Sequence, residues 1–239
     1  MNPIGFSTGA LALGDFDTAL RLVIGKPLTA VELSALRRSE LPLLLHEATS
    51  LDLHQFAYVA LHAPSSFSWD EEPEIVRILL QFPRSWKIIL HPDTIHDHAL
   101  WLQLGQQAVI ENMDRRKPNG RSVEELAPLF QLLPEAQFCL DLAHAQQWDT
   151  TMSEAYLLLK SFSDRLCQIH VSQLDSASHH FPLSLSSIRA FSEVAWLIPD
   201  DVPFIIESRV KPEEIDDEIR RVQAIIKSVC AATYHSVPA

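Results

Sequence analysis

The feature that most constrains this chain is a repeated grammar in which an apolar run closes on a residue able to bind a metal. Phe138-Cys139-Leu140 runs into Asp141, and His144 follows three residues later. Val59-Ala60-Leu61 runs into His62, Ile88-Ile89-Leu90 into His91, Val109-Ile110 into Glu111, Gln168-Ile169 into His170 and Phe204-Ile205-Ile206 into Glu207. Six apolar segments therefore end in His, Asp or Glu. Parallel strands covered by helices are apolar nearly throughout, so a polar residue at the C-terminal end is a placed feature. In a closed parallel barrel those ends converge on one mouth, where active sites are built.

The segments between these runs have helical spacing. Strands are predicted at Ile4 to Gly9 (with its turn), 30–34, 58–62, 86–91, 107–111, 136–141, 165–170 and 202–207. Helices are predicted at 16–24, up to Leu45 with an interruption at Pro42, at 73–82, after His91, over the run Val123 to Leu133, and at 152–162, 185–197 and 212–229. Ser122 and Glu125 form a capping-box pattern at the start of one of them. The longest loop by pattern lies between His170 and Ser184. Eight strands alternating with helices predict an α/β chain folded as one (β/α)8 TIM barrel over 1–239, with its active site at the C-terminal ends of the strands. An open doubly wound sheet is the alternative, and it gathers six strand ends around one point less readily.

Composition narrows the partners. The chain has 19 Lys+Arg against 31 Asp+Glu, a formal charge of -12, which repels a phosphate backbone at long range and argues against extended nucleic-acid binding. Cys139, Cys167 and Cys230 form no C-x-x-C pair, so a reducing, cytoplasmic setting is expected, and no run approaches the ~18 apolar residues of a membrane span. Parity places Cys139 on the inward side with Asp141 and Cys167 on the outward side relative to His170. His46, His54, His96, His98 and His235 read as surface residues, and Glu32 as either a mouth residue or a surface ion-pair partner.

Glu111, Asp141, His170 and Glu207 offer a mixed oxygen and nitrogen set suited to Zn, Mn, Mg or Co, and His62 and His91 extend it toward a second ion sharing Glu111. Three carboxylates so close push one another's pKa values up by ~1 or more unless a cation balances them. His144, His179 and His180 are candidates for a further ion. The basic cluster Arg115, Arg116, Lys117 and Arg121 follows the Glu111 strand and is a candidate for gripping a phosphate or carboxylate, against the plainer reading of a solvated loop.

With these residues in this order, the chain resembles the xylose isomerase-like barrel superfamily, which includes endonuclease IV-type enzymes and sugar epimerases. The carriers are His62-Ala63-Pro64, His91-Pro92, Glu111-Asn112, Asp141-x-x-His144, Ile169-His170-Val171 and Ile206-Glu207. The resemblance implies one to three divalent ions, zinc or manganese, and metal ligands at His62, His91, Glu111, Asp141, His144, His170, His180 and Glu207, with Glu111 and Glu207 catalytic. In epimerase-type members the two glutamates move a proton beside a carbonyl; in endonuclease-type members up to three zinc ions cleave a phosphoester. Here Ser178-His179-His180 stands where the endonuclease type has Asp-x-His, and Ser176 where the epimerases carry an Arg. The expected function is phosphoester hydrolysis of a small phosphorylated or sugar-like substrate. A sugar or sugar-phosphate isomerase or epimerase is the alternative, and a non-catalytic, metal-stabilised binding protein a third.

Overall fold

The computed structural model describes residues 2–233. Eight parallel strands close into a barrel: β1 (Ile4–Ser7), β2 (Ala30–Ser34), β3 (Tyr58–His62), β4 (Lys87–Leu90), β5 (Ala108–Glu111), β6 (Gln137–Asp141), β7 (Leu166–Val171) and β10 (Phe204–Ile206). Each strand pairs with the next in sequence, and β10 closes the ring onto β1 through Ile4↔Phe204, Gly5↔Ile205 and Phe6↔Ile206. Two further strands, β8 (Gln173–Leu174) and β9 (His180–Phe181), form a small antiparallel hairpin beyond β7.

Alternation along each strand sorts the side chains. Ala60, Ile89, Val109 and Cys139 point inward and fill the barrel interior with no exposure. Their neighbours Leu61, Ile88, Ile110, Phe138 and Leu140 point outward into the main core beneath the helices. Two residues further along the inward parity stand His62, Glu111 and Asp141, so the register that packs the interior also lifts these donors to its mouth. Gly5 is required where β1 meets β2, because a Cβ there would lie 2.3 Å from the Ala30 carbonyl oxygen.

The helices depart from expectation in places with physical causes. Pro42 sits in the first turn of the helix Leu41–Glu47, where its missing N–H costs nothing, so it starts that helix and does not interrupt it. The helix Leu142–Trp148, directly after β6, was not expected; Asp141 caps it, its Oδ1 accepting from the His144 N–H at 2.7 Å. The long loop after β7 is folded back by the β8–β9 hairpin. Cys167 is not outward: a register shift between β6 and β7 at Phe138/Cys139 turns it against the interior cluster beside Tyr58. Among the expected surface histidines, His46, His54 and His96 are exposed, His98 is half-buried, and His235 lies outside the described residues.

Candidate metal centre

Glu111, at the end of β5, is the centre of the mouth and is 1% exposed. Its Oε2 lies 3.4 Å from His62 Nε2 and 3.4 Å from His91 Nε2. Its Oε1 lies 3.1 Å from His170 Nδ1 and 3.4 Å from His144 Nδ1. Glu207 reaches the same place from the end of β10, its Oε2 3.6 Å from His170 Nδ1. Two donor sets result, His62–His91–Glu111 and Glu111–Asp141–His170–Glu207, with ligand atoms in each within 4.8 Å of one another.

In the neutral rings, partners on the far side of His62 and His170 set which nitrogen faces Glu111. His62 donates from Nδ1 to its neighbour's carbonyl at Ala63, 2.9 Å away, leaving the Nε2 lone pair toward Glu111. His170 donates from Nε2 to Glu32 Oε2 at 2.8 Å, which leaves Nδ1 toward Glu111 and Glu207. His144 donates from Nδ1 to the Asn112 carbonyl at 2.8 Å. The Asn112 side chain in turn ties β5 to β6, accepting from the Asp141 N–H at 2.7 Å and donating to the Asp141 carbonyl at 3.0 Å.

The electrostatics are those of a site prepared for a cation. Glu111 Oε2 and Asp141 Oδ2 are buried without a hydrogen-bond partner, and Glu111 Oε2 faces two imidazole nitrogens that carry lone pairs in the neutral rings. An orphaned carboxylate oxygen amid such acceptors is satisfied by a proton or a metal ion, and a mixed N and O set suits Zn or Mn. The mutual upward push expected among the carboxylates is not uniform. Burial pushes Glu207 up to about 8, with His170 pulling against it and the Glu111 and Asp141 charges adding to it. Burial also disfavours the Glu111 anion, but His170, His62 and His91 outweigh it and hold that group well below the usual carboxylate range. His62 is pulled down by burial and lifted further by Glu111 and the other carboxylates, to about 9. Burial draws His180 down to about 4.

His144 and His180 stand in the same cleft with ring centroids 6.1 Å apart but join neither donor set. His180 Nδ1 hydrogen-bonds Ser172 Oγ at 2.9 Å. His179 is turned to Asp175 in the exposed loop, and the Ser178 hydroxyl is taken up by Gln147. The basic cluster divides. Arg116 and Lys117 line the cleft, each held by a carboxylate, Asp114 at 2.9 Å and Asp93 at 2.8 Å. Arg115 is spent on the Ser176 carbonyl, and Arg121 on Glu125 and the face of Trp148, so neither lines the cleft. Arg115 and Arg116 tie the loop after β5 to the hairpin loop after β7, since Arg116 also donates to the Ala177 carbonyl at 2.6 Å.

The cleft of about 410 Å³ is also lined by Ser7, Ser65, Ser66 and Arg209. Arg209, two residues past Glu207, is an exposed cation there for which no hydrogen bond or ion pair is found among the described residues. Sequence reasoning passed over it, although its parity with Glu207 was a usable signal. Glu32 departs further from expectation: it is wholly buried, neither at the mouth nor in a surface ion pair.

No family model and no curated protein matches the chain by sequence. Solved structures do match it. Endonuclease IV from Thermus thermophilus superposes with a TM-score of 0.60 at 19% identity, covering 94% of this chain and 99% of that one. An L-ribulose 3-epimerase gives 0.58 at 10% identity over 100% of both chains, and the IolI protein with a bound zinc atom gives 0.61 at 12% identity over 98% and 100%. The chain has the fold of the xylose isomerase-like TIM barrels. Among the described residues no helix is long and apolar enough to cross a membrane.

Proposed function

We propose that this chain is a metal-dependent enzyme that hydrolyses a phosphoester of a small, anionic, sugar-like substrate. The observation that carries the reading is the division of Glu111: its Oε2 serves His62 and His91, and its Oε1 serves His170, so a single carboxylate joins two donor sets. Two divalent cations, when bound there, supply Lewis acidity toward substrate oxygens and bring the pKa of water toward ~7.

The chain's own residues do the rest. Glu111 and Asp141 hold anionic oxygens at fixed places, one set by the imidazoles around it and the other by the Asn112 clamp and the helix it caps. Glu207, 13% exposed at the cleft edge, is the carboxylate placed to exchange a proton with a substrate. Arg209 is available for an anionic group because nothing else engages it among the described residues, while Lys117 and Arg116 are already neutralised by Asp93 and Asp114. The charge of -12 and the carboxylate-rich floor favour a small ligand over a nucleic acid.

The second reading is isomerisation or epimerisation of a sugar, with Glu111 and Glu207 as the acid and base. Its support is that both carboxylates flank His170 Nδ1, at 3.1 and 3.6 Å, on one side of the cleft. An endonuclease IV and a 3-epimerase share this barrel, so the fold does not choose between them. Replacing His62 and His91 with Ala together does. Hydrolysis across a panel of phosphoesters should fall by at least ~10³-fold, as expected for losing one ion of a two-ion site. Survival of an isomerase activity in that variant would establish the second reading instead.

A further inference from the structure

Glu32 and Asp93 belong to neither donor set, yet each faces the far nitrogen of an imidazole that does. Glu32 lies in the middle of the barrel with no exposure. Its Oε2 accepts from His170 Nε2 at 2.8 Å and from Gln168 Nε2 at 2.7 Å, and Tyr58 donates to Gln168 Oε1 at 2.8 Å. A carboxylate at such a depth is costly to bury, and apolar side chains of the same volume fill barrel interiors readily. Its geometric effect on the site is to hold His170 from the Nε2 side, where Gln168 Nε2 also stands 2.7 Å from that nitrogen, and so aim Nδ1 at Glu111 and Glu207.

Asp93 makes the corresponding approach to His91 and stops short. Its Oδ2 holds Lys117 at 2.8 Å, and its Oδ1 is buried without a partner, 4.0 Å from His91 Nδ1, which is also buried without a partner. The other imidazole of that donor set, His62, has the Ala63 carbonyl for this purpose. Two orphaned atoms of opposite hydrogen-bonding capacity facing across ~1 Å more than hydrogen-bonding distance are a pair that a small side-chain shift satisfies at once.

We propose that Glu32 and Asp93 are positioning residues, one for each donor set, which fix the tautomer and direction of His170 and His91 and so tune two cations separately. This rests on the two-cation reading above. Carboxylates in this position behind a ligating histidine typically change metal affinity ~10–100-fold.

The test is zinc titration of the full-length, metal-stripped chain in competition with a chromophoric chelator, with the melting temperature of the metal-free protein as the control for folding. Glu32→Gln and Asp93→Asn keep shape and remove charge. Each is expected to weaken one of two zinc ions by ~10–100-fold and leave the other within about twofold of wild type. In the His62→Ala/His91→Ala background, which retains only the four-residue set, Glu32→Gln should still weaken the remaining ion and Asp93→Asn should do nothing. Affinities within about twofold of wild type for both variants, or both ions weakened equally by either, overturn the proposal while leaving the two-cation reading intact. A wild-type chain that takes up no zinc overturns that reading itself. Should Glu32→Gln fail to fold, Asp93→Asn decides alone, because the Asp93 side chain is 15% exposed and stands outside the packed core.

Discussion

Glu207 and His62 carry opposite charges when ionised, yet both are moved toward holding a proton: burial with the neighbouring carboxylates pushes Glu207 up to about 8, and the carboxylates, against burial, lift His62 to about 9. Both folded values lie above the unfolded ones, so each group binds more protons in the folded state, and its contribution to stability is lost as pH rises. His180, drawn down to about 4, acts in the opposite sense only below its ordinary value of 6.5. Between pH 6.5 and 8, therefore, His62 and Glu207 act together, and from 8 to 9 His62 continues alone, so the melting temperature of the metal-free chain should fall across the whole of that range. Added zinc should remove the fall, because it binds the deprotonated donors. A flat or rising melting temperature in the metal-free chain would show that these groups are not protonated in the fold. The residues of this centre were legible because each interrupts an apolar run at its end. Glu32 was not, because Ala30-Val31-Glu32-Leu33-Ser34 is the same kind of interruption in the middle of a strand, and only closure of the barrel shows that inward parity at that height means the interior.

At the scale of elements, the site depends on how β5 and β6 are held together where their ladder ends. The Asn112 side chain acts there as an additional rung, engaging both the N–H and the carbonyl of Asp141. Replacing Asn112 with Ala leaves two buried backbone groups unpaired, at a cost of about 1–3 kcal/mol each when no water reaches them. Urea denaturation of Asn112→Ala should therefore show a loss of about 2–6 kcal/mol, and metal affinity should fall with it as Asp141 loosens. An unchanged midpoint would mean that water replaces the amide, and Asp141 would then be held by its own helix alone. Strand positions were readable to within a residue or two, since a buried parallel strand is a short apolar block bounded by turn residues. The helix after β6 was not, because Leu142-Ala143-His144-Ala145 continues the apolar character of the strand, and the turn is made by the Asp141 side chain with no Gly or Pro to mark it. The β8–β9 hairpin escaped for a different reason: strands of two residues carry no period.

The whole molecule is a ring whose closure gives the six polar strand ends their meaning. Closure between β1 and β10 brings Glu207 back beside residues from β3, β5 and β7 that are far from it in sequence. The alternation of strands and helices announced the ring, but it could not set which cations line the cleft. That depends on loops, where Arg115 and Arg121 turn to local partners and Arg209 faces inward. The central claim is that the ring's mouth holds two cations joined through Glu111. Elemental analysis of the purified, untagged chain after loading with zinc or manganese tests it most directly. Two ions per wild-type chain are expected, and one in the His62→Ala/His91→Ala variant. A wild-type chain that retains none, or a double variant that still retains two, would contradict it.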